Sequence, residues 1–440
     1  MRNESWHNPK MYILLRSNAS CHDLLILVLA LGLRLLLIAA WYTDDLSWFE
    51  SGDYALYRIG AAHIAQEGDL SNSLFLVRPP LFPAIIYLLG LSDLTVLLVN
   101  AVVGALIAPL AVLLARRLGL GATGALVAGV IVAIDPAGIV YSSFLGPEPF
   151  ANLFLLVAIL ALLYAMDALS SRQATGWGIL TAIALVLSAY TRPAAYLLWI
   201  VLAVWWIATR PRHVLSVAVF ALICAAGIGT WILHNGRVFK HYTFSTVGPY
   251  TMLYYHAAAV EHLASGADMD TVYTTINRRV EERLGRDTAG VDASRRHHYL
   301  AASPEVSSAL NGVAFDIFTT HPLITLMTLP IGFARMFGLV TIALRGFPLW
   351  VKVLEVAWNA VFVLGTACGL WLAFHHRQWM LVWCVLLLCS YFTAGTLIVK
   401  SAGMTTRERS MLTPFMAVSA AYVVRLWLAG RSVRRAVYDT

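Results

Sequence analysis

Apolar runs of about 20 residues recur along this chain. That is the length an α-helix needs to cross a hydrocarbon core of roughly 30 Å. The runs are continuous rather than alternating, which argues against a β-barrel. Length alone, at 440 residues, would suggest two or three soluble domains. A content of 59% hydrophobic and 12% charged residues overrides that expectation. The expected class is all-α: a polytopic helical membrane protein with about ten transmembrane helices plus interfacial helices.

The ten runs fall near 24–42, 94–115, 122–134, 150–169, 179–189, 194–208, 214–233, 354–374, 380–399 and 411–428. Residues 79–90 are apolar but too short to cross, and suit an interfacial or re-entrant helix. Residues 323–344 are interrupted by Pro330, Gly332 and Arg335, and are read as not crossing. Arg34 lies near the middle of the first span, so it should face the bundle interior or snorkel.

Ten spans put both ends on one side. Arg116, Arg117, Arg172, Arg210, Arg212, Arg377, Arg431, Arg434 and Arg435 then share the cytoplasmic face, as the positive-inside rule expects. The net charge of +7 is accordingly read as topology, with no nucleic-acid partner. The opposite face collects the loop from Asp44 to Pro83, the loop of Glu148, the turn of Arg192, the polar stretch 234–321 and Arg409. Residues 1–19 carry no cleavable signal pattern, so the first run is expected to stay as an anchor. The five cysteines lie in or beside apolar runs without a CxxC spacing, and imply no disulfide framework.

Chemistry should sit where charge concentrates. The first loop spends six acids in 26 positions: Asp44, Asp45, Glu50, Asp53, Glu67 and Asp69. Asp53 opens a stretch whose Tyr54, Tyr57, Ile59 and Ile64 could line one face of an interfacial helix. It reads either as a helix cap, favoured on local grounds, or as a general base at the bilayer surface. Glu148, in GPEPF, reads as a helix-start acid or as a second carboxylate of the same site. Arg192 in YTRP and Arg409 in RERS, with Arg407 and Lys400 close by, read as interfacial anchors or as a clamp for a bound anion. Arg237 and Lys240 offer a third basic site. The paired histidines His297–His298 and His375–His376 make no metal pattern, and no phosphate-binding glycine loop is present. No cofactor is called for, and a divalent metal has no motif to support it.

At these residues the chain resembles a known family. DYALYRIGAAHIAQEGDL followed by RPPLFP is similar to the first external loop of the membrane glycosyltransferases with the C-type fold. The pattern is that of the protein O-mannosyltransferase-like and aminoarabinose transferase-like enzymes. GPEPF, TRP, WILHNGR and ERSMLTP continue it in order, from residue 34 to about 428. The resemblance implies the C-type glycosyltransferase fold and a donor made of a sugar on a polyprenyl phosphate. It implies a protein, lipid or glycan acceptor outside the cytoplasmic (inner) membrane, and an active site on that external face. Asp53 would be the catalytic base or acceptor-orienting acid, and Glu148 the second acid. Tyr57 and Arg78, at the loop's tyrosine and basic positions, would bind substrate. Arg192 and Arg409, with Arg237, would hold the lipid phosphate.

The resemblance also divides the chain. Residues 1–22 would be a cytoplasmic tail, 23–233 a transmembrane catalytic module with its first external loop at 43–92, 234–352 an external loop with interfacial helices, and 353–440 the last spans and a basic cytoplasmic tail. There are departures. The family often has an acidic pair where this chain has Asp53–Tyr54, so Asp44–Asp45 is the alternative base. Its frequent Arg-Asn is His234–Asn235 here. A secondary transporter and a lipid-linked polysaccharide ligase or polymerase are the competing readings. The transporter lacks an inverted repeat.

Overall fold

A computed structural model describes residues 9–41, 53–285, 303–339 and 349–438. Asp44, Asp45, Glu50 and His297–His298 lie outside them, as do the side chains of Arg431, Arg434 and Arg435. The described residues are helical, with no strand among them.

Seven helices among the described residues are long and apolar enough to cross a membrane, or up to nine if each of two bent pairs counts once. Each of the ten runs is occupied by helix. Three are not simple spans: the third belongs to a bent pair, and the sixth and tenth are shorter apolar helices, Pro193–Thr209 and Thr413–Leu428. The interrupted segment is part of the second bent pair, Pro304–Thr320 with Pro322–Met336, which turns by 104°.

Local chemistry explains the breaks. Ser92 caps Asp93–Arg117 by accepting from the Thr95 amide at 3.3 Å, and Ser170 caps Ser171–Thr191 through Gln173. At Asp135–Pro136 the chain bends by 53° between Gly121–Ile134 and Pro136–Ser142. Pro136 has no amide hydrogen to continue the first helix. Asp135 starts the second by accepting from the Gly138 amide at 2.9 Å.

Arg34 faces inward and is 1% exposed. It donates to Ser142 Oγ at 2.6 Å and to the carbonyl oxygens of Ala30 and Gly138 at 2.8 and 3.3 Å. Gly104 makes room for this contact, since a Cβ there would collide with Ser142.

The main core runs through the bundle. A second core, from Leu253 to Ile317, sits within the polar stretch between the seventh and eighth runs. A third lies under the first loop, where Tyr54 and Tyr57 pack with Phe82, Ile86 and Leu145.

The two ends of the bundle differ. Asp167 pairs with Arg117 at 2.7 Å and Arg210 at 3.2 Å, and Arg116 grips Asp23 with two bonds. Asp93, at the far end of the helix that carries Arg116 and Arg117, pairs with Arg58 at 3.1 Å and accepts from the Tyr54 hydroxyl at 2.7 Å. The helices Glu148–Met166 and Ser171–Thr191 run between the same two ends. Glu148 and Arg192 therefore face away from the Asp167 cluster.

Candidate active site

Asp53 occupies the N-cap position of Tyr54–Glu67 but makes no side-chain cap hydrogen bond. Both its oxygens go elsewhere. Oδ1 meets Arg78 Nη2 at 2.8 Å, and Oδ2 meets Arg407 Nη1 at 3.0 Å. Arg407 turns its Nε to Glu148 Oε1 at 2.6 Å. One guanidinium thus spans the two carboxylates. The same Glu148 oxygen lies 3.5 Å from Arg192 Nη1. Arg192 Nη2 reaches Glu408 Oε1 at 3.6 Å, and Lys400 Nζ reaches that oxygen at 2.7 Å.

The network joins segments far apart in sequence. Its members come from the first loop, two helix ends and the turn before the last helix. Arg78 follows Leu74–Val77 in extended backbone, just before Pro79–Pro80. Arg192 ends Ser171–Thr191 in extended backbone, as a residue before proline prefers. Thr406–Arg409 is a four-residue helix set by a capping box between Thr405 and Glu408. Glu408 Oε2 accepts from the Thr405 amide and hydroxyl at 2.8 and 3.1 Å, which leaves Oε1 for the cations. Tyr57 is 1% exposed, edge-on to Phe82, with the Arg78 guanidinium 5.9 Å from its ring.

Four cations (Arg78, Arg192, Lys400, Arg407) meet three carboxylates (Asp53, Glu148, Glu408), which leaves one positive charge in excess. Burial pushes the Asp53 carboxyl up, but Arg78, Arg407 and Lys400 more than offset it and hold it well below the usual carboxylate range. Burial likewise raises Glu408, and Lys400 and Arg192 bring it down to about 2. Arg192 Nη1 and Arg78 Nε are buried without a hydrogen-bond acceptor. No protein acceptor among the described residues makes a hydrogen bond to these donors, and an anion with several oxygens could do so.

Of the expected residues, the structure brings together Asp53, Tyr57, Arg78, Glu148 and Arg192. Arg237 is exposed at the end of Val214–Val238 and takes no part in the network. Arg409 does not reach it either. It is 0% exposed and pairs with Asp135, also 0% exposed, at 2.9 Å inside the bundle. Among the described residues no three His, Cys, Asp or Glu side chains gather as metal ligands.

The family described as dolichyl-phosphate-mannose-protein mannosyltransferase matches residues 81–253. Those residues include Glu148 and Arg192. No curated protein matches the sequence. Among solved structures, an Archaeoglobus fulgidus oligosaccharyltransferase in complex with Zn and sulfate aligns at 16% identity and a TM-score of 0.52. The alignment covers 93% of this chain and 49% of that one. The fold is that of the C-type membrane glycosyltransferases.

Within the C-type fold the chain spans about half the length of the oligosaccharyltransferase structures it matches. ArnT from Cupriavidus metallidurans also aligns. In the apo state it does so at 13% identity and a TM-score of 0.40, covering 92% of this chain and 78% of that one. Bound to undecaprenyl phosphate it aligns at 15% identity and a TM-score of 0.36, covering 97% and 80%.

The site residues that sequence reasoning left in the background are Arg407, Glu408 and Lys400. Their signal is the run RER before the last apolar run, with Lys400 just ahead of it. Residues two apart on a helix face opposite ways. One of Arg407 and Arg409 had to face the loops and the other the bundle, and the sequence does not say which.

Proposed function

We propose that the chain transfers a sugar from a polyprenyl-phosphate-linked donor to a hydroxyl acceptor at the external face of the membrane, with inversion at the anomeric carbon. The observation that carries this reading is Arg407 bridging Asp53 and Glu148, with Arg78, Arg192 and Lys400 around it. The match to the mannosyltransferase family supports the donor class.

The chemistry needs a base and fixed cations. The acceptor oxygen attacks the anomeric carbon, and the bond from that carbon to the phosphate oxygen breaks. The electron pair stays with the phosphate, which is already a good leaving group and needs no acid. Its growing charge needs cations held in place, which Arg192 and Arg407 supply, while Lys400 holds the donor phosphate equally before and during the step. Asp53 takes the hydroxyl proton on the opposite face.

As it stands in the donor-free site, Asp53 is a weak base, because two arginines hold it ionised. A donor phosphate would compete for Arg407 and take up Arg192 Nη1, which has no hydrogen-bond acceptor from the protein. Drawing Arg407 off Asp53 raises its basicity at the moment the donor is bound. Glu148 would then keep Arg407 near the phosphate rather than let it return.

The test is transfer of labelled sugar from polyprenyl-phosphate donors in membranes, comparing the parent with Asp53→Asn at equal expression. Removing the base should lower the rate at least about 100-fold. Transfer unaffected by the change would move the base to Asp44 or Asp45. Absence of transfer from every donor would return the transporter reading.

A further inference from the structure

Beside the network the backbone turns sharply. Lys400 follows the helix Trp379–Val399, and Ser401 comes next with φ +39°. Residues with a Cβ rarely adopt this left-handed conformation, and it persists only where the surroundings enforce it.

The enforcement is visible. Ser401 Oγ donates to Thr328 Oγ1 at 2.9 Å. Thr328 Oγ1 lies 3.0 Å from His256 Nε2 and also reaches the Thr325 carbonyl oxygen at 2.7 Å. His256 Nδ1 lies 2.9 Å from the Ile398 carbonyl oxygen, two residues before Lys400. A carbonyl only accepts, so Nδ1 carries the proton. Burial lowers the His256 pKa and favours the neutral ring, so Nε2 and the Thr325 carbonyl oxygen share the single Thr328 hydroxyl proton. His256, Thr328 and Ser401 are all buried, at 4%, 0% and 0% exposure.

Two glycines close the grip. A Cβ on Gly332 would stand 2.5 Å from the Ser401 carbonyl oxygen, and one on Gly403 would stand 2.6 Å from Tyr255 Cβ. The π-helical turn Met252–Ala257 carries both Tyr255 and His256. Tyr255 presents its ring 5.0 Å from the Lys400 ammonium, while His256 holds the backbone on either side of it. One turn therefore controls both ends of a single lysine. Such π turns are frequent at functional sites.

We propose that His256 is a positioning residue, which through Thr328 and Ser401 fixes the Lys400 ammonium for the donor phosphate. The inference rests on the transfer reaction proposed above and adds to it a buried residue on the other side of the Lys400 turn.

The test uses the full chain and polyprenyl-phosphate mannose as donor, with His256→Phe, Lys400→Ala and the double variant measured beside Asp53→Asn. His256→Phe should raise the donor KM about tenfold with kcat within about twofold, the signature of lost binding rather than lost chemistry. A merely structural loss would reduce the active fraction and leave KM unchanged. In the Lys400→Ala background the same change should add nothing. An unchanged KM, or effects that multiply in the double variant, overturns the inference.

Ser401→Gly serves as the second variant. It relaxes the backbone and removes the hydroxyl, so it should fold at least as stably as the parent and still raise the donor KM. A parental KM in that variant also overturns the inference. Transfer absent from the parent with every polyprenyl-phosphate donor overturns the reaction on which it rests, whereas transfer surviving Asp53→Asn overturns only the assignment of the base. Loss of transfer in Asp53→Asn with a parental KM in His256→Phe sinks the positioning role alone.

Discussion

Asp53 stands where a helix cap stands, yet its oxygens face two arginines. That pairing makes a pH prediction with a definite sign. A carboxylate held below its ordinary value near 3.9 stays charged above that value and loses its charge, and the stability it confers, only as pH falls through the lowered one. In the donor-free enzyme Asp53 should therefore stay ionised down to at least about pH 4. The profile of kcat/KM, which reports the free enzyme, should show no acid limb from Asp53 above that point. The kcat profile reports the donor complex, where the phosphate competes for Arg407. Its acid limb should lie at higher pH than any in kcat/KM. A kcat/KM limb near pH 6 that vanishes in Asp53→Asn would show that the two arginines do not hold the free carboxylate. Composition and spacing flagged Asp53, Glu148 and Arg192 as charges beside helix ends in so apolar a chain, and Arg78 came only through the family resemblance. The pairing itself was not legible. It joins residues 259 and 354 positions apart, and a one-dimensional pattern carries no such contact.

The helices pack through small residues, and one crossing separates close contact from mere proximity. Gly365 and Gly369 stand four apart on Leu349–His375, on the face that meets Thr413–Tyr438. A Cβ on Gly369 would collide with the Ser419 carbonyl oxygen, whereas one on Gly365 would rest 3.4 Å from Ala420 Cβ. Backbone cannot move aside as a side chain can. Gly369→Ala should cost about 1–3 kcal/mol and lower the unfolding midpoint in detergent. Gly365→Ala should be neutral or slightly stabilising, because alanine favours helix. Equal midpoints for the two variants would show that these helices do not cross as described. The spans themselves were readable because hydrophobic length is a local property. The bent pairs were harder. Pro330 reads as the interruption, but the helix passes through it, and the 104° turn comes between Thr320 and Pro322. Nor could Asp135 be recognised as the buried partner of Arg409, since its local sequence says only that a helix ends and another begins.

The molecule as a whole is polar along its long axis. The helix from Asp93 to Arg117 has 25 residues, about 37 Å at 1.5 Å per residue. One end meets the first loop through Tyr54 and Arg58. The other carries Arg116 and Arg117, beside Asp23, Asp167 and Arg210. Basic residues near span ends favour the cytoplasmic side, so the carboxylate–arginine network should open outward. Two exposed positions test this. Leu169, 91% exposed, lies beside the Asp167 cluster, and Tyr242, 69% exposed, lies beyond the end of Val214–Val238 that reaches the first loop. In a chain stripped of its five cysteines, Tyr242→Cys should react with a membrane-impermeant maleimide in intact cells, and Leu169→Cys only after the membrane is opened. The reverse pattern would place the network inside. The donor's head group would then have to be met on the cytoplasmic side, and the acceptor would come from the pool there. Labelling of both in intact cells would mean that the three connecting helices do not separate two compartments. Because the readout needs neither donor nor acceptor, it decides the side of the site independently of the chemistry proposed there.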